Sequence, residues 1–214
     1  MKTFLIIGLG KFGHHLCKRL IHYNCEVMIV DTKEENLEDL LPIVTNAKIG
    51  DCANPDVVKS LGIKNFDACF VCIAEDFQHS LEVTSLLKEM GAKKVISRAE
   101  RDVQAKFLLR NGADEVIYPD RDIAERVARK FSKNHIYDYI VIDDEHSIYE
   151  VLPFKDIVGK TILESDFRNK YKANIIGYKK QGIATMLTTP DYVFKEDEHL
   201  IIVGRNTDIE KYLD

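Results

Sequence analysis

Phe4-Leu5-Ile6-Ile7-Gly8-Leu9-Gly10-Lys11-Phe12-Gly13 joins four apolar residues to a G-x-G-x-x-G turn. A short apolar run, then glycines, then a helix-period segment is the pattern of a buried strand feeding a helix. The glycines have separate tasks. Gly8 permits the tight bend, Gly10 lets a phosphate approach the backbone, and Gly13 lets the helix pack on the strand. Val27-Met28-Ile29-Val30-Asp31 reads as a second strand ending in an acid. Asp31 lies 23 residues after Gly8 and 18 after Gly13, the spacing of a carboxylate that accepts from ribose hydroxyls. An adenine-nucleotide site follows as the first expectation.

Working outward, strands are expected at 3–7, 26–30, 44–49, 68–73, 94–97 and 115–118. Helices are expected near 12–23, 34–41, 55–61, 77–90, 101–111 and 121–133. Strict alternation implies a parallel sheet with helices on both faces. Gly62, Gly91 and Gly112 punctuate the ends of helical stretches. From Tyr137 the pattern changes to short alternating strands at 137–143, 147–152, 173–179, 183–188 and 199–204, with helices at about 160–171 and 206–213. The fold class is therefore α/β: a doubly wound, Rossmann-type parallel-sheet domain over 1–134, followed by a small α+β domain over 135–214. In the helix before the boundary, Ile123, Val127 and Phe131 recur every four residues. Either a second subunit or the chain's own sheet would cover them.

Composition narrows the function. The 214 residues are 45% hydrophobic and 30% charged with net charge −5, which excludes the basic surface of a non-specific nucleic-acid binder. No apolar run approaches the ~20 residues of a membrane span, and the chain enters a strand at once. A cytoplasmic protein without direct membrane insertion is expected. The five cysteines fit that compartment. Cys69 and Cys72 form a C-x-x-C pair, but residues three apart on a strand face opposite ways, so no shared metal or disulfide is expected.

Lys11 in the glycine loop and Arg98 after the fifth strand could meet at one phosphate group, since ligands in such sheets lie beyond the carboxyl ends of strands. Asp51, after the third strand, could accept from an adenine amino group; capping the next helix is its other reading, for which Asn54 and Asp56 compete. Asp31 disfavours a 2′-phosphate, so ATP, ADP, NAD and NADH remain open. Of the seven histidines, His79 alone lies near the nucleotide side. With no proton donor set and a small, strand-rich second domain, binding is expected rather than turnover.

Beyond the glycine motif, Val30-Asp31, Gly50-Asp51, Leu61-Gly62-Ile63-Lys64-Asn65-Phe66-Asp67, Gly112-Ala113-Asp114, Gly159-Lys160-Thr161-Ile162, Arg168-Asn169-Lys170-Tyr171 and Leu200-Ile201-Ile202-Val203-Gly204 carry a resemblance over essentially the whole chain. It resembles the RCK proteins (regulators of potassium conductance, or KTN; TrkA-N plus TrkA-C), specifically the stand-alone cytosolic subunits of bacterial Ktr potassium uptake systems. The resemblance implies a dimer that assembles into an octameric ring on an integral-membrane potassium transporter subunit, peripheral to the inner face of the membrane. It implies that ATP and ADP compete for one site, formed here by Gly8, Gly10, Lys11, Phe12, Gly13, Asp31, Asp51, Cys52, Ala74 and Arg98. Lys11 stands where the family has an arginine, which keeps charge but loses the bidentate fork. Asp120 stands where a glutamate helps hold a divalent cation, Mg or Ca, in some members. The second domain resembles RCK_C, which in several relatives binds cyclic di-AMP at a dimer interface. The matching positions are Ile162, Asp166, Phe167, Arg168, Asn174, Ile175 and Pro190.

Overall fold

The computed structural model describes residues 1–132 and 136–212. The expected boundary near residue 134 lies outside the described residues. By contacts the chain forms two compact units, Met1–Asp122 and Ile123–Asp214.

The first unit runs β1 (Thr3–Ile7), α1 (Lys11–His22), β2 (Glu26–Asp31), β3 (Asn46–Ile49), α2 (Pro55–Ser60), β4 (Ala68–Val71), α3 (Phe77–Glu89), β5 (Val95–Arg98), α4 (Asp102–Arg110) and β6 (Glu115–Ile117). The six strands are parallel in the order β3-β2-β1-β4-β5-β6. This is the doubly wound order whose sequence direction reverses between β1 and β4.

Both faces of the sheet are buried, as near-continuous apolar strands require. Leu5, Ile7 and Cys69 pack with Val83 and Leu87 of α3. Ile6, Ile29 and Cys72 pack on the opposite face with Cys17 of α1. Cys69 and Cys72 thus point into different cores, and all five cysteines are free. Burial pushes the thiols of Cys52, Cys69 and Cys72 up to about 12, which keeps them protonated and unreactive.

Asn54 caps α2, its Oδ1 accepting from the Asp56 N–H at 2.9 Å, with Pro55 at the first helical position. Asn54→Ala should cost about 1 kcal/mol, read as a lower urea midpoint with unchanged slope; an unmoved midpoint would mean water replaces the cap at no cost.

The helix expected at 34–41 is a 3₁₀ turn, Glu34–Asn36, followed by further turns. Leu37 and Leu40 are buried three apart, a spacing that successive tight turns satisfy as well as a helix. The Asn36 amide reaches back to Asp31 at 3.1 Å, and Pro42 has no N–H to extend a ladder.

Helix α5 (Pro119–Ser132) leaves the first unit. Ile123 is 60% exposed and Phe131 79%.

The second unit contains β7 (Ile136–Val141), β8 (His146–Val151), α6 (Ile162–Ser165), α7 (Phe167–Tyr171), β9 (Ala173–Lys180), β10 (Ile183–Met186), β11 (His199–Arg205) and α8 (Asn206–Ile209). Its antiparallel sheet runs β10-β9-β11-β8-β7. Tyr149, Phe167, Tyr171, Phe194, Leu200 and Ile202 centre its core. The helix expected over 160–171 breaks at Asp166, which takes a left-handed φ of 46°. An aspartate tolerates that conformation, and the break turns both Phe167 and Tyr171 into the core.

Candidate functional site

Strand register lays the candidate residues along one edge. Ile7 pairs with Val30 and Val71, and Val71 with Ser97. The next residue on each strand reaches the carboxyl end: Asp31, Gly8, Cys72 and Arg98. Asp31 in turn pairs with Ile49, which precedes Gly50-Asp51-Cys52. At ~4.8 Å between strands, Gly8 and Arg98 stand roughly 10 Å apart along this edge.

The glycine loop sits at its centre, where β1 and β4 adjoin. Gly8 has φ +88° and its N–H donates to the Val30 carbonyl at 2.9 Å. A Cβ on Gly13 would overlap the Gly8 carbonyl and come 3.3 Å from the Cys72 Cβ. Gly10 differs: a Cβ there would meet nothing within 4 Å. No side chain caps α1 and its first turn holds no acid. Its leading N–H groups and dipole therefore face the edge, the arrangement that favours a phosphate. Lys11 is exposed beside them and Phe12 is half-buried. These features fit a nucleotide's phosphate chain.

Asp31 is 9% exposed and its carboxylate is already engaged. Oδ2 accepts from the Leu9 N–H at 2.6 Å, and Oδ1 from the Lys33 N–H at 2.9 Å and the Asn36 amide at 3.1 Å. With two lone pairs per oxygen, one position on Oδ2 is left for a ribose hydroxyl. Asp31 therefore shapes the loop as well as offering a ligand contact, a double duty that its spacing alone does not reveal.

Asp51 does not cap α2. Its Oδ1 accepts from the Ala53 N–H and pairs with His79 Nε2, both at 2.8 Å. The His79 contact spans 28 residues and no local signal foretells it. Cys52 is buried in the core with its side chain turned from the edge, so only its backbone can face a ligand. Ala74 is half-buried in the segment after β4.

Arg98 lies on the α1 face, two residues beyond Ile96, which pairs with Phe70 of the α1-side cluster; its charge partly offsets the upward push of burial on the Cys72 thiol. Its side chain is 14% exposed, and Nη2 donates to Asp120 Oδ2 at 2.6 Å. Nε is buried without a hydrogen-bond partner. Among the described residues no group of three or more His, Cys, Asp or Glu could hold a metal ion. Asp120 meets Arg98 there.

The TrkA-N domain model matches residues 4–119 and the TrkA-C domain model residues 147–214. The chain belongs to the RCK family, the proteins that join these two domains. It is 37% identical over 213 residues to the Ktr system potassium uptake protein C of Bacillus subtilis, covering 99% of this chain and 96% of that one. It is 33% identical to the Ktr system potassium uptake protein A of the same organism, over 99% of this chain and 95% of that one. The solved GsuK channel bound to NAD shares the fold at TM-score 0.69 and 18% identity, covering 100% of this chain and 39% of that chain. Among the described residues no helix is long and apolar enough to cross a membrane.

In the RCK_C unit the expected positions divide by exposure. Arg168, Asp166, Asn174 and Pro190 are exposed, and Ile162 and Ile175 are half-buried. Phe167 is 2% exposed and stacks on Phe154 at 5.8 Å between centroids, so its ring serves the core. Pro190 is tied to the start of α6, its carbonyl accepting from the Leu163 N–H at 3.4 Å. Asp166 Oδ1 accepts from the Asn169 amide at 2.6 Å.

Proposed function

We propose that this RCK protein is a nucleotide-gated, non-catalytic regulatory subunit of a potassium uptake system, acting through an integral-membrane partner from the cytoplasmic side. The observation that carries the reading is the edge itself: the glycine loop, uncapped α1 amides and Arg98 converge at the switch point of the sheet. The α1 amides, Lys11 and Arg98 are positive contributions that favour a ligand with several phosphate charges, and ADP and ATP fit that better than a dinucleotide's pyrophosphate. The Ktr relatives, matched along nearly their whole length, support the transport role.

Gly8, Gly10, Lys11, Phe12 and Gly13 would hold the phosphates with Arg98, Asp31 the ribose, and the segment of Asp51, Cys52 and Ala74 the base. Asp120 would hold a divalent cation at the terminal phosphate. In the second unit, Arg168 and Asn174 offer an exposed cation and amide for cyclic di-AMP at an interface between copies. The exposed face of Ile123, Val127 and Phe131 suits assembly into a dimer and then a ring of eight. A ligand gates such a ring only through unequal affinity for its two shapes.

Calorimetry with ADP and ATP tests the site. Lys11→Ala should weaken ATP about tenfold and ADP less, as loss of one exposed charge near the terminal phosphate predicts. Equal losses would make Lys11 a general electrostatic contributor, and no nucleotide binding at millimolar ligand would end the reading. NAD(H) is the second reading, favoured by the NAD-bound GsuK channel of the same fold. Mass spectrometry of nucleotide carried through purification separates the two.

A further inference from the structure

Resting on the nucleotide reading above, we infer that Asp120 is the resident counter-ion of Arg98 and that nucleotide phosphate displaces it, unclamping the first turn of α5. The pair is lopsided. The Arg98 side chain is 14% exposed and Asp120 82%. The arginine is held at the sheet edge, and the aspartate is the solvent-exposed member. Their 2.6 Å contact spends one of five guanidinium donors. Glu100 stands off at 3.7 Å, and Nε is buried with no partner.

A single contact to an exposed carboxylate is a weak use of a planar fork built for two parallel bonds. A phosphate arriving from the glycine loop could take two donors at once. Its charge would also repel a carboxylate held on the same guanidinium. Displacement leaves Asp120 stable, because it sits in the first turn of α5, where the helix dipole favours an anion.

The consequence reaches the helix. Among the described residues the start of α5 is held by Asp120 to Arg98, by Arg121 to Asp102 at 2.9 Å, and by the Arg121 guanidinium 3.5 Å over the Tyr118 ring. Only the first competes with phosphate. Nucleotide binding would thus remove one of the named tethers on the helix that leads out of the nucleotide-binding unit.

A double-mutant cycle read by ADP calorimetry in EDTA tests the exchange. Asp120→Asn should tighten ADP about 3- to 10-fold, the scale of one semi-exposed ion pair. In an Arg98→Gln background the same change should do nothing. Unchanged or weaker ADP binding by Asp120→Asn overturns the exchange. So does tightening that persists without Arg98, which would report a diffuse field. If none of the four proteins binds ADP, the nucleotide reading falls and takes the exchange with it. Wild-type binding with a flat cycle overturns the exchange alone.

Discussion

Gly13→Ala should destabilise the protein by about 2–4 kcal/mol, the range for overpacking against a neighbour that cannot yield. The new methyl would overlap the Gly8 carbonyl and crowd the Cys72 Cβ at 3.3 Å. The Gly8 carbonyl belongs to a left-handed turn and Cys72 to a buried cluster. Alanine's better helix propensity, worth about 1 kcal/mol, cannot offset that clash. Gly10→Ala is the control. Gly10 has φ −60° and open space around its would-be Cβ, so stability should stay within about 1 kcal/mol. ADP affinity should nevertheless fall at least about tenfold, since the methyl enters the path of the phosphates. Urea melts and ADP titrations of both variants check this. A Gly13→Ala protein as stable as wild type would mean that α1 can slide off the loop. A Gly10→Ala protein that binds ADP normally would put the phosphates elsewhere.

The parts legible in the sequence were those where one signal served one purpose. Leu5, Ile6 and Ile7 are apolar because both sheet faces are covered, and Gly8 and Gly13 each solve a separate steric problem. The parallel sheet followed from alternation. What stayed hidden has a common cause: side chains with local meaning were committed to distant partners. His79 reads as a first-turn residue of α3, but its ring closes on Asp51. Asn36 reads as a helix residue, and its amide instead anchors Asp31, which helps turn an expected helix into a 3₁₀ turn. At Asp166 the sequence continues in helical period while the backbone inverts, because the core needs Phe167 and Tyr171 together. The α5 stripe was visible as a period of four, and its residues Ile123, Val127 and Phe131 are exposed.

Asp31→Asn is expected to be nearly as damaging as Asp31→Ala, although it keeps the side chain's shape. Both carboxylate oxygens act as acceptors: Oδ2 for the Leu9 N–H, Oδ1 for the Lys33 N–H and the Asn36 amide. An asparagine has one carbonyl, so either orientation sets an NH₂ group against an N–H donor. Leu9 is 3% exposed, and water cannot readily satisfy its amide in exchange. Losing a charged acceptor from a buried donor costs about 2–3 kcal/mol, read as a lower melting temperature for either variant. The same loop presents the α1 amides, so ADP and ATP should weaken together, and by more than one ribose hydrogen bond explains. The proportion between the two losses carries the argument. If Asp31→Asn melts with the wild type and only nucleotide affinity drops, Asp31 is a ligand contact alone. If stability and affinity fall in step, the residue that meets the ribose also holds the phosphate loop in shape, and the two halves of the site cannot vary independently.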